Sequence, residues 1–227
     1  MPYKIPKIPI FPQLLGTEKR CQDLQMRIWE LDWLEYSFGL AKRLTKEEGE
    51  EVQQYPAVYV GINGDSMDVR AWPSDTYRSY AFWDIMDQSE FDYADNRAGR
   101  RKYPKIIQPV ALIVCLNNEM ISRSQDYNVT HSICKNELLE KLNFFSMPSG
   151  GIYEVTGIIE NKPAEVFADY DVLDDLMEPR SMIRIEGLLT YTQDCTGVAS
   201  TSSSTNVLLM EDGMALLMED GEEFGLE

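Results

Sequence analysis

His131 and Cys134 stand three residues apart, a spacing that places an imidazole and a thiol on one face of a helix and supplies half of a zinc site. No second pair accompanies them. The other cysteines, Cys21, Cys115 and Cys195, are widely separated, no CxxC pair exists, and His131 is the only histidine. A helix-terminal histidine beside a core cysteine is the reading that fits. Asp169, Asp171, Asp174, Asp175 and Glu178 form an acidic run. A calcium loop starting at Asp169 would need an oxygen ligand fifth and a glycine sixth, where Leu173 and Asp174 stand. A solvated acidic face accounts for the run better. Asp65, Asp68, Asp75 and Asp84 add carboxylates in a turn-rich region, and no glycine-rich phosphate loop is present. The sequence therefore predicts no metal site and no cofactor.

Gly64-Asp65-Ser66-Met67 is the sharpest catalytic candidate. It resembles the serine motif of self-cleaving repressors and signal-peptidase-like enzymes. That resemblance implies a lysine base some tens of residues downstream, and Lys102 and Lys105 fall at about that distance. A desolvated, neutral lysine can activate a serine. Here the motif straddles a hairpin turn, and the acidic-Gly-acidic strand pattern that follows it in that family is missing. Lys102 also sits among Arg97, Arg100 and Arg101 in a polar loop. A lipase-like reading needs Asp three residues before His, and Asn128 holds that place before His131. Ser66 with Lys102 or Lys105 is kept as an alternative, and the chain is expected not to be an enzyme.

The elements that must position these residues follow from periodicity. Cys21, Leu24, Ile28, Leu31, Leu34, Phe38, Ala41 and Leu44 recur at three and four, widened by Trp29, Trp33, Tyr36 and Leu40, and predict one long helix capped by Thr17. The acidic stretch 47–51 reads as its solvated exit. Strands are expected at 57–62 and 66–72 around Asn63-Gly64-Asp65, a hairpin signal, and at 79–85. Residues 87–105 read as a long loop. A buried strand at 106–116 must accommodate Pro109 at an edge or bulge. A second helix is expected from Thr130 to Phe145 with Ile133, Leu138, Leu142 and Phe145 inward, then strands at 152–160 and 182–192, where Leu188 breaks the polar face, with a short helix near 169–178. The fold class is α+β: two main helices packed on a mostly antiparallel sheet.

At 227 residues the chain can bury a sizeable core, and a hydrophobic share of 44% marks it as globular. The formal charge of -17 argues against a protein that wraps nucleic acid, which needs a cationic face. It leaves room for a surface past which DNA slides without sticking. The proline-punctuated N-terminus has no signal-peptide core, and the longest apolar run, 110–116, is too short to cross a bilayer. The expected compartment is a reducing cytoplasm with free thiols. Asn128-Val129-Thr130 matches a glycosylation sequon and reads as chance.

Both ends are distinctive. Residues 1–16 form an extended arm with Pro2, Pro6, Pro9 and Pro12 among Ile5, Ile8, Ile10 and Phe11, and with Lys4 and Lys7 as its charges. Such a segment wants a groove, on its own domain or on a neighbour. The core domain spans 17–195, and 196–206 is a Ser/Thr-rich linker. The segment 207–227 repeats a phrase, Leu208-Leu209-Met210-Glu211-Asp212-Gly213 and then Leu216-Leu217-Met218-Glu219-Asp220-Gly221. Each copy closes on Asp-Gly, so 207–210, 214–218 and 222–226 read as a three-stranded meander that needs another sheet or subunit to cover it.

The series of a long first helix, Tyr55-Pro56-Ala57-Val58-Tyr59, a hairpin, Tyr80-Ala81-Phe82-Trp83, a loop, a buried strand, a second helix and a closing Ile185-Glu186-Gly187-Leu188-Leu189-Thr190-Tyr191-Thr192-Gln193-Asp194-Cys195 resembles the tail terminator and tail completion proteins of tailed bacteriophages. The likeness runs over about residues 18–195, and the repeat is similar to degenerate terminal repeats of other phage virion proteins. It implies a structural protein of the virion, put together in the host cytoplasm, that forms a ring at the head–tail neck or tail end. Its partners would be copies of itself and other neck or tail proteins, with DNA passing through the lumen without specific binding and no membrane. The expected assembly contacts are Ile8, Ile10 and Phe11 in the arm, Arg97, Arg100, Arg101 and Lys102 in the basic loop, and Leu208, Leu209, Met210, Leu216, Leu217 and Met218 in the tail. A monomeric acidic adaptor is the other alternative.

Overall fold

A computed structural model describes residues 14–48, 51–59, 68–70, 77–92, 104–123, 126–168, 170, 178–192, 207–209 and 215–217. In chain order the elements are α1 (Gly16–Trp29), β1 (Tyr36–Leu40), β2 (Lys42–Glu48), β3 (Glu51–Tyr59), β4 (Asp68–Arg70), β5 (Ser79–Ile85), β6 (Glu90–Asp92), β7 (Lys105–Asn117), α2 (Asn118–Ile121), α3 (Tyr127–Leu142), β8 (Phe145–Ser146), β9 (Ile152–Glu160), α4 (Pro163–Val166), β10 (Arg180–Thr192), β11 (Val207–Leu209) and β12 (Ala215–Leu217). The class is α+β. One sheet runs β1-β5-β7-β10-β9-β8, with β6 also on β7; β2-β3-β4 form a second, and β11-β12 a third. All pairings are antiparallel except β1 with β5.

Alternation along β7 and β10 builds a core on each face of the main sheet. Leu112, Val114, Ile183, Ile185 and Leu189 pack with Trp83 and Tyr153 against Cys21, Leu24 and Ile28 of α1 and Cys134, Leu138 and Leu142 of α3. The opposite face carries Phe82, Ile113, Cys115 and Met182 beneath Phe38, Val58, Val166, Phe167 and Tyr170. Each fully buried large apolar side chain contributes on the order of 2 kcal/mol.

The predicted long helix ends at Trp29. The N–H groups of Leu31 and Leu34 bond back to the carbonyls of Ile28 and Leu31 at 3.0 and 3.1 Å, closing successive turns. Tyr36, Phe38 and Leu40 then alternate along β1, and Ala41 precedes Leu44 in β2. The three- and four-residue spacing continued across this break because a tight turn also returns apolar residues to the core. Gln25 and Ser37 stitch helix to strand: Gln25 Nε2 donates to the Ser37 carbonyl at 2.7 Å, and Ser37 Oγ to the Gln25 carbonyl at 3.0 Å. Of the acidic stretch, Glu47 and Glu48 end β2 and Glu51 begins β3, with Glu48 paired to Glu51, so these residues lie on strands rather than at a helix exit.

The predicted Thr17 cap does not hold. Thr17 shares a hydrogen bond with Tyr191 Oη at 2.9 Å, and the helix opens at Gly16, whose φ of +58 turns the chain in beside that ring. In α3 the cap is Asp126, whose carboxylate accepts from Asn128 N at 2.8 Å, while Thr130 lies buried one turn on. Ile133 points outward, and Thr130, His131 and Cys134 take the inner positions with Leu138 and Leu142.

Pro109 sits in a central strand, yet in a gap of its ladder. β5 pairs with β7 only as far as Val110, and β6 pairs from Ile107. The Pro109 carbonyl accepts from Met86 N at 3.2 Å, so the missing donor faces the space between the two shorter strands. The expected loop after 87 thus contains β6. β3 and β4 pair Tyr59 with Asp68, and the expected turn at Asn63-Gly64-Asp65 lies outside the described residues. Residues 1–13 of the expected arm, most of the acidic run 169–178 and the third strand of the expected meander lie outside the described residues, and Gly16, the arm's expected last residue, is the first of α1. The chain divides into two compact units, Met1–Gln193 and Asp194–Glu227. Among described residues no helix is long and apolar enough to cross a membrane.

Gly187 is the most tightly enclosed of the described glycines. A Cβ there would meet Tyr153 Cζ at 2.5 Å and the Glu154 carbonyl oxygen at 2.6 Å. Gly187→Ala is expected to destabilise the fold by about 2–3 kcal/mol through overpacking, read as a lowered midpoint in urea; an unchanged midpoint would mean that the ring moves freely.

Candidate functional site

His131 is the centre of the best-defined polar constellation. Helix α3 brings it, buried, over the junction of β9 and β10. Its Nε2 lies 2.7 Å from Glu160 Oε2 at the end of β9, and its Nδ1 lies 2.9 Å from Ser181 Oγ near the start of β10. Lys135, one turn further along the helix, donates to both Glu160 oxygens at 2.9 and 3.1 Å. Ser181 Oγ also receives a bond from Asn118 Nδ2 at 3.0 Å. Burial of the Glu160 carboxyl would raise its pKa, but hydrogen bonds from Lys135 and then His131 outweigh that and hold it below the ordinary carboxylate range.

Carboxylate, imidazole and hydroxyl in series suggest nucleophilic catalysis. The surroundings favour a clamp. Ser181 is 4% exposed and its hydroxyl is engaged by both His131 and Asn118. A substrate carbonyl would have to displace α2 or α3 to reach it. The chain of bonds ties α2, α3, β9 and β10 together. Sequence reasoning found His131 and Cys134 but missed Glu160, Ser181 and Asn118, because the partners are 29 and 50 residues from the histidine and carry no local pattern.

Cys134 packs into the core, where burial first and then nearby Glu137 push its thiol up to about 12. Among the described residues no group of three His, Cys, Asp or Glu could hold a metal. Cys21, Cys115 and Cys134 are free and buried. Asp84 is buried on β5 with Arg43 at 3.8 Å, and both line an open cleft of about 510 Å³ with Asp87, Gln88, Ser89 and Gln108. Asp84 and Arg43 are 41 residues apart and share no local pattern that would pair them.

Of the serine alternative, Ser66 and Lys102 lie outside the described residues. Lys105 is the exposed first residue of β7, opposite Asp92 and Thr192. Of the assembly contacts, Ile8, Ile10, Phe11, Arg97, Arg100, Arg101, Met210 and Met218 also lie outside. Leu208 pairs with Leu216, Leu209 with Ala215 and Val207 with Leu217 in the β11–β12 hairpin.

The outer surface adds what the sequence did not show. Val129 and Ile133, one turn apart on α3, are 49% and 40% exposed, and Met120 of the adjoining α2 is 44% exposed. Phe144, which follows α3 in a left-handed conformation with φ of 54, is 66% exposed. On β9, only Ile152 and Tyr153 pair with β8, so among described strands 154–160 have β10 on one side and an open edge on the other.

The Glu160 carboxyl yields a pH test with a defined sign. Its folded pKa is depressed, so its contribution is present above the ordinary carboxylate range and is lost as pH falls through the folded value. The side chain is 34% exposed, which limits the effect to about 1 kcal/mol. Glu160→Gln is expected to be less stable than the parent at neutral pH. The gap in urea midpoints should close between about pH 5 and pH 3; a gap independent of pH would show that the ionised carboxylate is not the stabilising species.

Comparison with protein-family models, with curated proteins and with solved structures gave no match.

Proposed function

We propose that this chain is a structural subunit of a tailed-phage virion, of the tail terminator or tail completion type, which works by packing copies into a ring at the head–tail neck or tail end. In this reading two main helices lie on a mostly antiparallel sheet, and α3 serves two interfaces. The observation that carries it is the pair of apolar faces on that helix: Leu138 and Leu142 are buried against the sheet, while Val129 and Ile133, one turn apart, are 49% and 40% exposed. Exposed apolar residues grouped this way mark a contact surface. The open edge of β9 offers main-chain groups for a neighbour's strand. The arm residues Ile8, Ile10 and Phe11, the basic loop at Arg97 to Lys102 and the leucine-rich tail supply further contact elements.

Ring closure would then fix copy number and stop growth. A charge of -17 suits a lumen through which DNA passes without adhesion. No residue need be catalytic in such a role, and the virion would be the site of action.

Native mass measurement with negative-stain imaging, on the full chain over a range of concentrations, tests this. Closed rings of one copy number are expected. Val129→Asp with Ile133→Asp should abolish them while leaving the circular dichroism spectrum intact, since both side chains are about half exposed in the single chain. A strict monomer at every concentration would overturn the ring and favour an acidic adaptor.

A further inference from the structure

An open cleft lies beside Asp84, where β5 stops short of β6 along β7. Backbone and side-chain bonds set its walls. Ala41 N donates to the Trp83 carbonyl at 2.7 Å as β1 passes into β2, and Met86 N donates to the Pro109 carbonyl at 3.2 Å. Gln108 is buried, and its Nε2 donates to the Asp87 carbonyl at 2.7 Å. Asp87 Oδ1 accepts from Gln88 N at 2.7 Å. The connection 86–89 is therefore fastened to β7. A space of about 510 Å³ is bounded by it, by the end of β5 and by Ala41 and Arg43. Small-ligand sites commonly measure about 300–1,000 Å³.

We propose that this cleft binds a small aliphatic diamine in its doubly protonated form. The order of the lining points to it. Asp84-Ile85-Met86-Asp87 reads acid, apolar, apolar, acid, which is the order of charge and methylene in an α,ω-diamine. Ala41 adds apolar wall, and among the described residues Arg43 is the one cation in the lining. Two carboxylates against one guanidinium leave the cleft negative. The Asp84 side chain is 3% exposed, so folding keeps a carboxylate out of water in the wall of an open cleft, a costly placement unless a cation faces it. Arg43 shows what kind of cation fits: its Nη2 lies 3.8 Å from Asp84 Oδ2 and donates to the Ile85 carbonyl at 3.0 Å. A nitrogen cation is thus accepted here by a carboxylate and a main-chain carbonyl, and an ammonium carries three donors for the same two kinds of acceptor. Tyr170 adds no charge. Burial, and after it the charge of Asp84, push its hydroxyl pKa up, although Arg43 acts the other way. A single copy holds the whole lining, so the site does not depend on a ring.

The test is a titration of the full chain, carrying carbon-13 in its methionine methyl groups, with putrescine at neutral pH and fixed ionic strength. The Met86 methyl resonance is expected to shift to saturation. The same concentrations of 1,4-butanediol, equal in length but uncharged, should leave it in place. Asp84→Asn should weaken putrescine binding about tenfold. If that variant loses its circular dichroism spectrum, Asp87→Asn serves, since that residue is exposed, with an expected loss of about threefold. Glu154→Gln, exposed on β9, should leave the affinity unchanged, which separates the cleft from the general attraction of amines to a chain of charge -17. A Met86 shift that does not saturate would overturn the proposal. So would a shift that butanediol reproduces, or an affinity that falls no further in the Asp84 and Asp87 variants than in Glu154→Gln.

Discussion

The register of β7 against β10 is the constraint on which the rest depends. The two strands match residue for residue from Lys105 opposite Thr192 to Asn117 opposite Arg180. Because side chains alternate, this one register decides which residues meet the helices and which meet the opposite layer. A slip by one would send Ile183, Ile185 and Leu189 to the wrong face together. It also places Arg184, which is 3% exposed, where its guanidinium reaches the Val166 carbonyl and Glu186 Oε1, both at 2.9 Å. Those bonds hold the end of α4 against the sheet and satisfy a charge that would otherwise be costly to bury.

What the sequence made legible is what short-range alternation encodes. Ser79–Ile85 and Ile152–Glu160 are strands with the bounds expected, and β7 and β10 extend the expected strands by only a residue or two at an end. Local pattern fails where two periods agree. Between Leu31 and Leu44 a helical stripe and a turn followed by alternating strands place apolar residues at similar intervals. The choice is made by contacts such as Gln25 with Ser37 and Ser79 Oγ with the Trp33 carbonyl at 2.6 Å, between residues 12 and 46 apart. Pro109 was legible as a demand, an edge or a bulge, but not as the solution, a gap between two short strands on one side of a long one. The polar constellation was the least legible. Glu160, Ser181 and Asn118 look like ordinary surface residues in sequence, and only the packing of α3 over the β9–β10 junction gives them a common partner.

That constellation also explains how α3 can have two faces. A helix held only by apolar packing on Leu138 and Leu142 could rotate to bury Val129 and Ile133 as well. Its hold through His131 and Lys135 is directional: Nδ1 and Nε2 point in opposite directions, one to Ser181 on β10 and the other to Glu160 on β9. Rotation would break both and leave buried polar groups without partners, at about 1–3 kcal/mol each. The clamp therefore keeps an apolar stripe in water that hydrophobic packing alone would pull inward.

The turn after α3 points the same way. Phe144 is a bulky residue in the left-handed region, a conformation that costs about 1–2 kcal/mol outside glycine and asparagine. Its ring is two-thirds exposed, so the interior gives nothing in return for that strain. Glycine is the residue that helix ends commonly place in this conformation, and this chain uses it five and six residues after Phe145, at Gly150 and Gly151, where φ is also positive. A strained, exposed aromatic at the end of a helix whose outer stripe is also apolar makes sense when another molecule covers both. It is an argument from cost: one unfavourable feature lies in the first turns of α3 and the other just past its last turn, and a contact running along the helix would offset both.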